Sequence, residues 1–261
     1  MPNVLLIGGR GNIGSGLRTY LPKLDPTYQF TSVDLPGAPD KATATSAQDE
    51  FVYLDICAHP DQLSDFMQGR DLVVYLARKS PHEAMNQMTD LVFEALLKQN
   101  PVPMVIASSS IHAVDGAYSV DEGVLSILSE RRFDDIPQMP ERMLTTLPAT
   151  PDNPYAREKK HVEEWIQRVA DRGHSAIAAR WGGINAQNKM AQERGYFSLW
   201  CHQEDAAQFV HACYTTYKSG TLKSGAHYFV VSDNTYNIFD IEIQRQEIGY
   251  NPVHNSESFY E

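Results

Sequence analysis

Three glycines, Gly8, Gly11 and Gly14, directly follow a run of four apolar residues at positions 4–7, and an amphipathic stretch comes after them. This order predicts a buried strand, a tight loop and the start of a helix. Glycines at this spacing let the backbone approach a pyrophosphate, which the N–H groups and the positive dipole end of the helix then bind. The loop therefore predicts a dinucleotide site, although a glycine-rich turn without a ligand has the same local pattern.

Short apolar runs alternate with amphipathic stretches along most of the chain. The expected strands lie at 4–7, 30–33, 51–54, 72–76, 104–107, 175–180 and 227–231. The first expected helix ends near Pro22, and the others span 61–67, 83–99, 154–172 and 204–217. Strands alternating with helices imply right-handed crossovers and a parallel sheet covered on both faces. The predicted fold class is therefore α/β: a Rossmann-type doubly wound parallel sheet with a small C-terminal substrate-binding portion.

The 261 residues are predicted to form a single domain, as α/β folds of this length often do. Residues 1–180 are the expected nucleotide-binding core, and residues 181–261 are expected to be mainly a substrate-binding portion. The segment 115–153 is rich in proline and weak in periodicity. We expect it to be a long inserted loop, with a short helix around 124–131, that serves either as a lid or as an interface.

The formal charge of -11, from 33 acidic and 22 basic residues, argues against nucleic acid or an anionic membrane as the main partner. The three cysteines, Cys57, Cys201 and Cys213, are too widely spaced for a zinc site or a disulfide framework. The histidines show no metal-ligand spacing, so no metal site is expected. No signal peptide and no apolar run of the ~18–20 residues that a membrane span needs is recognised, which predicts a cytoplasmic protein.

Asp34 ends the second predicted strand, 20 residues after Gly14. An acidic residue at this place hydrogen-bonds the adenosine ribose hydroxyls of a dinucleotide. The carboxylate also repels the 2′-phosphate of NADP, and no arginine follows it closely. The sequence therefore favours NAD as the cofactor.

Tyr155 and Lys159 lie four residues apart in a predicted helix, so their side chains share one face. A free phenol has a pKa near ~10, and a nearby ammonium favours the phenolate. The tyrosine is then suited to exchange a proton with a substrate hydroxyl while a nicotinamide exchanges a hydride. By itself the pair is also typical of a solvated helix face, but downstream of a dinucleotide loop it indicates an oxidoreductase site.

Three serines, Ser108, Ser109 and Ser110, follow the predicted strand 104–107. Ligands gather at the carboxyl ends of strands in a parallel sheet, where a hydroxyl is able to hydrogen-bond the reacting oxygen. A serine-rich turn that caps backbone groups is the alternative interpretation for two of the three.

Taken together, these motifs resemble the extended short-chain dehydrogenase/reductase family, also called the NAD-dependent epimerase/dehydratase family. The matching pieces occur in family order up to about residue 185, and end with Asn153-Pro154-Tyr155, Lys159 and Arg180-Trp181-Gly182. The resemblance implies that Ser109 is the catalytic serine beside Tyr155 and Lys159, with Ser110 as the alternative. It also implies a cofactor-binding set of Gly8, Gly11, Asn12, Ile13, Gly14, Asp34, Asp55, Ile56, Leu76, Ala77, Arg78, Tyr155 and Lys159.

Within this family the chain is most similar to uronate dehydrogenases, which are similarly short and carry comparable pieces in the tail, such as Trp200-x-His202 and Ile248 to Pro252. That resemblance implies substrate contacts from Ser80 and His112, and from Arg194 as the residue that binds a carboxylate. The serine and tyrosine are further apart here than is usual, and the proline-rich segment supplies the excess.

The function expected from the sequence is an NAD-dependent oxidation of a hydroxyl on a small sugar or sugar acid. A sugar-nucleotide epimerase or dehydratase is the alternative of the same class, and a non-catalytic NAD(H)-binding regulator is the alternative of a different class. The expected partners are a small-molecule substrate and a second copy of the chain in a homodimer.

Overall fold

Seven parallel strands form one sheet in the order β3-β2-β1-β4-β5-β6-β7. The computed structural model describes residues 1–42, 49–117, 127, 130–136, 141–193 and 195–260. The strands are β1 (Asn3–Ile7), β2 (Gln29–Asp34), β3 (Asp49–Tyr53), β4 (Leu72–Tyr75), β5 (Met104–Ser110), β6 (Ala176–Trp181) and β7 (His227–Val230). The predicted doubly wound parallel sheet is confirmed.

The helices in this part of the chain are α1 (Asn12–Leu24), α2 (Pro60–Met67), α3 (His82–Leu97), α4 (Pro154–Asp171), α5 (Tyr196–Leu199), α6 (Gln203–Lys218) and α7 (Glu242–Ile248). Two of them, α5 and α7, were not expected from the sequence. The first helix continues past Pro22 to Leu24. A proline this close to the end of a helix removes one hydrogen bond but leaves few turns beyond it to disrupt.

Alternate residues of the strands pack on opposite faces of the sheet. Val4 and Leu6 of β1 pack with α1 and α6, whereas Leu5 and Ile7 pack with α2, α3 and α4. Both sets are almost fully buried. This double burial explains why the central strands consist of continuous apolar residues rather than of alternating polar and apolar ones.

The tail beyond residue 181 contributes to the core as well as to the far end of the molecule. Helix α6 packs against α1, and β7 extends the sheet beside β6. A smaller apolar cluster, which includes Met143, Phe229 and Phe239, lies beyond these elements. Its Met143 is tied by backbone hydrogen bonds to Ile238 and Asp240, each of 2.8 Å. The end of the inserted segment is thereby fixed to the tail.

The chain order reverses between β1 and β4, which are neighbours in the sheet but not in sequence. In open α/β sheets a ligand binds in the crevice at such a reversal, outside the carboxyl ends of the strands. The glycine loop follows β1, and the Leu76–Ala77 segment follows β4, so both border this crevice.

Candidate active site and cofactor groove

Two neighbouring cavities open at the carboxyl ends of the strands. The larger has a volume of about 660 Å³ and lies among the glycine loop, the end of β5, the start of α4 and the loop after β6. The smaller, of about 110 Å³, lies beside the ends of β2 and β3. Gly8 lines both cavities, so together they form one groove across the crevice.

The glycine loop has the geometry of a phosphate cradle. Gly8 has φ +88°, and a Cβ there would come within 2.6 Å of the Ala77 nitrogen. At Gly11 a Cβ would meet only the Gly8 oxygen, at 3.4 Å, and Gly11 lines the larger cavity. A side chain at Gly11 would thus occupy the space in front of the N-terminus of α1. The first backbone N–H groups of a helix have no partner within the helix, so they are suited to bind an anion there. Asn12, Ile13, Gly14 and Leu76, which the resemblance implies as cofactor-binding residues, line the same cavity.

Asp34 lies where an adenosine ribose is expected. Its carboxylate accepts hydrogen bonds from the backbone nitrogens of Arg10, at 2.9 Å, and Leu35, at 3.1 Å. The carboxylate is thus oriented from both the glycine loop and its own strand end. The smaller cavity brings Asp34 together with Asp55 and Ile56, predicted to hold the adenine, and with Ala77 and Arg78 of the predicted cofactor-binding set.

Arg10 is a feature that sequence reasoning missed. Its guanidinium donates to the hydroxyl of Tyr53 at 2.8 Å, and Tyr53 is the register partner of Asp34 in the β2–β3 pair. The argument from sequence considered only arginines that follow Asp34, whereas this one comes from the loop before it. A guanidinium therefore lies near the end of β2, where Asp34 is predicted to bind the adenosine ribose.

Lys159 is buried beneath the larger cavity, and its Nζ donates to the carbonyl oxygen of Ser108 at 3.0 Å. The same Nζ lies 5.2 Å from the centre of the Tyr155 ring. Burial lowers the pKa of Lys159 to about 8; Glu158 opposes this shift, and Arg78 adds to it. The ammonium is therefore retained at neutral pH but is easier to deprotonate than a surface lysine.

Tyr155 lines the larger cavity on the first turn of α4. Asn153 caps this helix, accepting from the Ala156 nitrogen at 2.9 Å. The guanidinium carbon of Arg78 lies 4.9 Å from the tyrosine ring centre, and the His112 ring meets it edge-on at 5.8 Å. The phenol thus has three basic side chains around it, counting Lys159.

The serines belong to β5 itself rather than to a turn after it. Ser109 donates from Oγ to Glu163 Oε1 at 2.6 Å, and Glu163 also holds the buried Arg180 through two bonds of 2.8 Å. Ser110 instead accepts from the His112 nitrogen at 3.3 Å. Both serines line the larger cavity, but the hydroxyl of Ser109 is engaged by α4.

The three predicted substrate contacts are placed differently. His112 lines the larger cavity with its side chain half exposed, and its Nδ1 is bonded to Asp115 at 2.9 Å. This bond raises the pKa of His112. Ser80 is exposed and belongs to neither cavity lining. Arg194 lies outside the described residues, and its neighbour Glu193 lines the larger cavity.

Sequence reasoning also missed the wall that the loop after β6 provides. The Asn12 side chain donates to the Ile184 carbonyl at 3.3 Å, which ties this loop to α1. The signal was present in the two glycines after β6: a Cβ at Gly183 would come within 2.4 Å of the Tyr196 ring. The additional lining residues are Trp181, Gly182, Gly183, Ile184, Asn185, Ala191, Glu193, Tyr196 and Leu199.

Two histidines distant in sequence meet beside α1, where His202 packs edge-on against Tyr20. His202 and His254 stack with ring centres 3.6 Å apart, and His254 Nε2 lies 3.0 Å from Glu204 Oε2. Their nitrogen and oxygen atoms fall within 4.8 Å of one another. Sequence spacing could not reveal this grouping, because 52 residues separate the histidines. The Lys23 ammonium contributes to a lowered pKa of His202, after burial and His254, and it disfavours a cation here.

The model of the NAD dependent epimerase/dehydratase family matches residues 4–184, more than half of the chain. The chain belongs to this family. Membership confirms an NAD-dependent enzyme of the short-chain dehydrogenase/reductase type, which the motifs together predicted, and NAD as the cofactor, which the glycine loop and Asp34 predicted. No curated protein sequence matches the chain.

Several solved structures of dehydrogenases share the fold of this family member. The uronate dehydrogenase from Agrobacterium tumefaciens has a TM-score of 0.74 and 20% identity, over 100% of this chain and 87% of that one. The glucuronic acid dehydrogenase from Chromohalobacter salexigens has a TM-score of 0.75 and 18% identity, over 99% and 87%. The expected resemblance to uronate dehydrogenases is confirmed at the level of the fold.

A family member of another activity is also similar. The dTDP-glucose 4,6-dehydratase from Bacillus anthracis, solved in complex with NAD, has a TM-score of 0.72 and 15% identity over 98% of this chain and 93% of that one. In the described part of this chain, no helix is both long and apolar enough to cross a membrane. The assigned site residues, the homodimer, the cytoplasmic location and the domain division remain predictions.

Proposed function

We propose that this protein oxidises a hydroxyl group of a small sugar or sugar acid with NAD, and that Tyr155 takes the hydroxyl proton. The observation that carries the proposal is the position of Tyr155. It lines the larger cavity, and the Lys159 ammonium lies 5.2 Å from its ring centre. A phenol that lines the cleft, with a buried ammonium close to its ring, favours proton transfer from a bound alcohol.

The groove offers distinct places for the two ends of the cofactor. Asp34 would bind the adenosine ribose hydroxyls, and the N-terminus of α1 would bind the pyrophosphate. Lys159 would bind the second ribose from below the larger cavity. NAD, when bound, supplies the acceptor for the hydride that leaves the alcohol carbon.

Three side chains of the protein would bind the substrate oxygen and transfer its proton. Ser110 would hold the substrate oxygen, because its hydroxyl lines the cavity and the competing donation to Glu163 is made by Ser109. Tyr155 would receive the proton from that oxygen. Lys159, anchored on the Ser108 carbonyl, would stabilise the negative charge on Tyr155 as the proton moves.

Two kinds of substrate fit different parts of the site. Arg194, as the predicted carboxylate-binding residue, favours a uronate. Glu193 lines the larger cavity and favours a neutral sugar, because a carboxylate accepts hydrogen bonds from neighbouring hydroxyls and repels an acid. Galacturonate and glucuronate are therefore the first candidates, and the corresponding neutral sugars are the second.

The test is a panel of these four sugars with NAD, followed by absorbance at the nicotinamide band. Free NADH accumulating with one of them supports the dehydrogenase. Arg194→Ala should raise KM for the acid by about 10- to 100-fold if the uronate assignment holds. The matched variant Glu193→Gln should raise KM for a neutral sugar and lower it for an acid.

The rival activities give different readouts when a nucleotide sugar is added to the panel. A sugar-nucleotide epimerase or dehydratase regenerates NAD within each turnover, so it would convert a nucleotide sugar without accumulating free NADH. A regulatory protein would bind NADH without turning over any member of the panel. Either result would contradict the proposed dehydrogenase.

A further inference from the structure

An ion pair between a half-exposed arginine and a buried glutamate joins the loop after β4 to helix α4. Arg78 donates from Nε to Glu158 Oε2 at 3.0 Å and from its Nη2 to Oε1 at 3.3 Å. The Glu158 side chain is only 3% exposed, whereas that of Arg78 is 47% exposed. The carboxylate of Glu158 is thus almost fully shielded from water. Among the described residues, its hydrogen-bond partner is Arg78, which binds it through two nitrogens.

An ion pair with a buried carboxylate contributes little net stability to the loop that it holds. Burying a carboxylate costs free energy that its partner only partly returns, and an apolar contact of similar size is often as stable. The sequence places this charge directly before Lys159 and three residues after Tyr155. Its position suggests a role in the chemistry rather than in folding alone.

The pair lies against both groups of the proposed proton transfer. Arg78 stands 4.9 Å from the Tyr155 ring centre, and Lys159 stands 5.2 Å from the same centre. Arg78 also lines the smaller cavity, whereas Tyr155 lines the larger. Arg78 therefore lies where the two cavities adjoin, and Glu158 lines neither.

Charged and titratable groups around Lys159 come from its own helix and from the segments after β4 and β5. One turn further along α4, Glu163 is held by Arg180 of β6. Glu158 and Tyr155 lie on its own helix, and Arg78 approaches from the loop after β4. The Ser108 carbonyl accepts from its Nζ on the side of β5, and His112 reaches the far side of the Tyr155 ring. Among these groups, Glu158 favours the charged lysine, and Arg78 disfavours it.

We propose that Arg78 and Glu158 are positioning residues whose opposite charges adjust how tightly the buried Lys159, beside Tyr155, holds its proton. Through it they set the pH range of the proton transfer. The inference rests on the proposed function for its catalytic consequence. The effect of the two charges on the deprotonation of Lys159 is measurable without a substrate.

Removing each charge separately should move Lys159 in opposite directions. Glu158→Gln keeps the size of the side chain but leaves Arg78 without a counter-charge, so Lys159 should lose its proton about one pH unit lower. Arg78→Gln leaves Glu158 as the dominant neighbour, so the proton should be lost about one unit higher. The double variant should return close to the wild type.

The direct experiment is an NMR titration of full-length protein with isotope-labelled lysine, in which Lys159→Met assigns the Lys159 signal. Lys223→Gln is the matched control, because Lys223 is exposed, pairs with Glu247 and lines neither cavity of the groove. It should leave the Lys159 titration unchanged. Opposite shifts in the two single variants support the proposal; shifts in one direction, or none, overturn it.

Activity supplies the second readout. In the proposed dehydrogenase the basic limb of the plot of kcat/KM against pH should follow the deprotonation of Lys159. The limb should therefore lie at lower pH in Glu158→Gln and at higher pH in Arg78→Gln. A purely structural pair would lower activity in both variants without moving the limb. If no sugar is oxidised, the proposed function fails, while the NMR titration still decides whether the pair controls Lys159.

Discussion

The hydroxyl of Ser109 donates a 2.6 Å hydrogen bond to Oε1 of Glu163. Arg180, the register partner of Ser109 in β6, holds the same carboxylate through two further bonds. This buried network ties β5, β6 and α4 together beneath the groove. A serine committed to it is poorly placed to hold a substrate oxygen as well.

The two serines should therefore separate into different roles. Ser110→Ala should lower kcat by about 10- to 100-fold with little loss of stability, because a hydrogen bond to the reacting oxygen is lost. Ser109→Ala should instead lower the free energy of unfolding by about 1–3 kcal/mol. Steady-state kinetics and urea denaturation of both variants test this division. The reverse pattern would restore Ser109, the first choice from sequence, as the catalytic serine.

The sequence predicted the sheet and the cofactor groove well because their signals are local. Continuous apolar strands and glycines at fixed spacing follow from burial on two faces and from close backbone approach. The choice between Ser109 and Ser110 depends instead on which one meets Glu163, 54 and 53 residues later in the chain. No local pattern in β5 records that contact.

The substrate end was harder to predict for the same reason. Its wall is formed by the loop after β6 and by α5, which meet through Gly183 and Tyr196. Ser80 was assigned by analogy of position, but it is exposed and lines neither cavity. Arg10 was not predicted because it precedes Asp34 in the sequence, and its guanidinium contacts Tyr53 at the end of β3.

Tyr155→Phe should lower turnover by about 10²-fold or more, because the ring remains but the proton acceptor is lost. The ring contacts with Arg78 and His112 involve the aromatic face and edge, so they should persist. Affinity for NADH, measured by fluorescence titration, should stay within about threefold of the wild type. Normal turnover in this variant would remove Tyr155 from the proposed mechanism.

Asp34→Ala should weaken NAD binding by about tenfold and strengthen NADP binding. The carboxylate that bonds the ribose hydroxyls is lost, together with its repulsion of a 2′-phosphate. Arg10 remains next to the vacated position and is suited to bind that phosphate. The double variant Asp34→Ala, Arg10→Ala should lose the gained NADP affinity.

Calorimetric titration of both nucleotides measures these changes. Asp233→Ala is a suitable control, because this aspartate is exposed, pairs with Arg245 and lies in neither cavity lining. Equal affinity of the wild type for NAD and NADP would contradict the selective role given to Asp34.

The stability of the fold should depend on pH through Lys159. Burial lowers its pKa from 10.5 to about 8 in the folded protein. Between these values the unfolded chain binds more protons than the folded one, so the contribution of Lys159 to the free energy of unfolding rises with pH. Below about pH 8 both states carry the proton, and the cost of burying the ammonium is paid in full.

Urea denaturation of the wild type and of Lys159→Met at pH 7.5 and pH 9.5 measures this linkage, since groups common to both proteins cancel in the difference. The wild type should gain on the order of 2 kcal/mol relative to the variant across this interval. If the ion pair acts on Lys159, this rise in the free energy of unfolding should occur at lower pH in Glu158→Gln and at higher pH in Arg78→Gln. If the difference in the free energy of unfolding between the wild type and Lys159→Met does not change with pH, Lys159 does not titrate between pH 7.5 and pH 9.5. The buried ammonium would then have the acidity of an ordinary lysine.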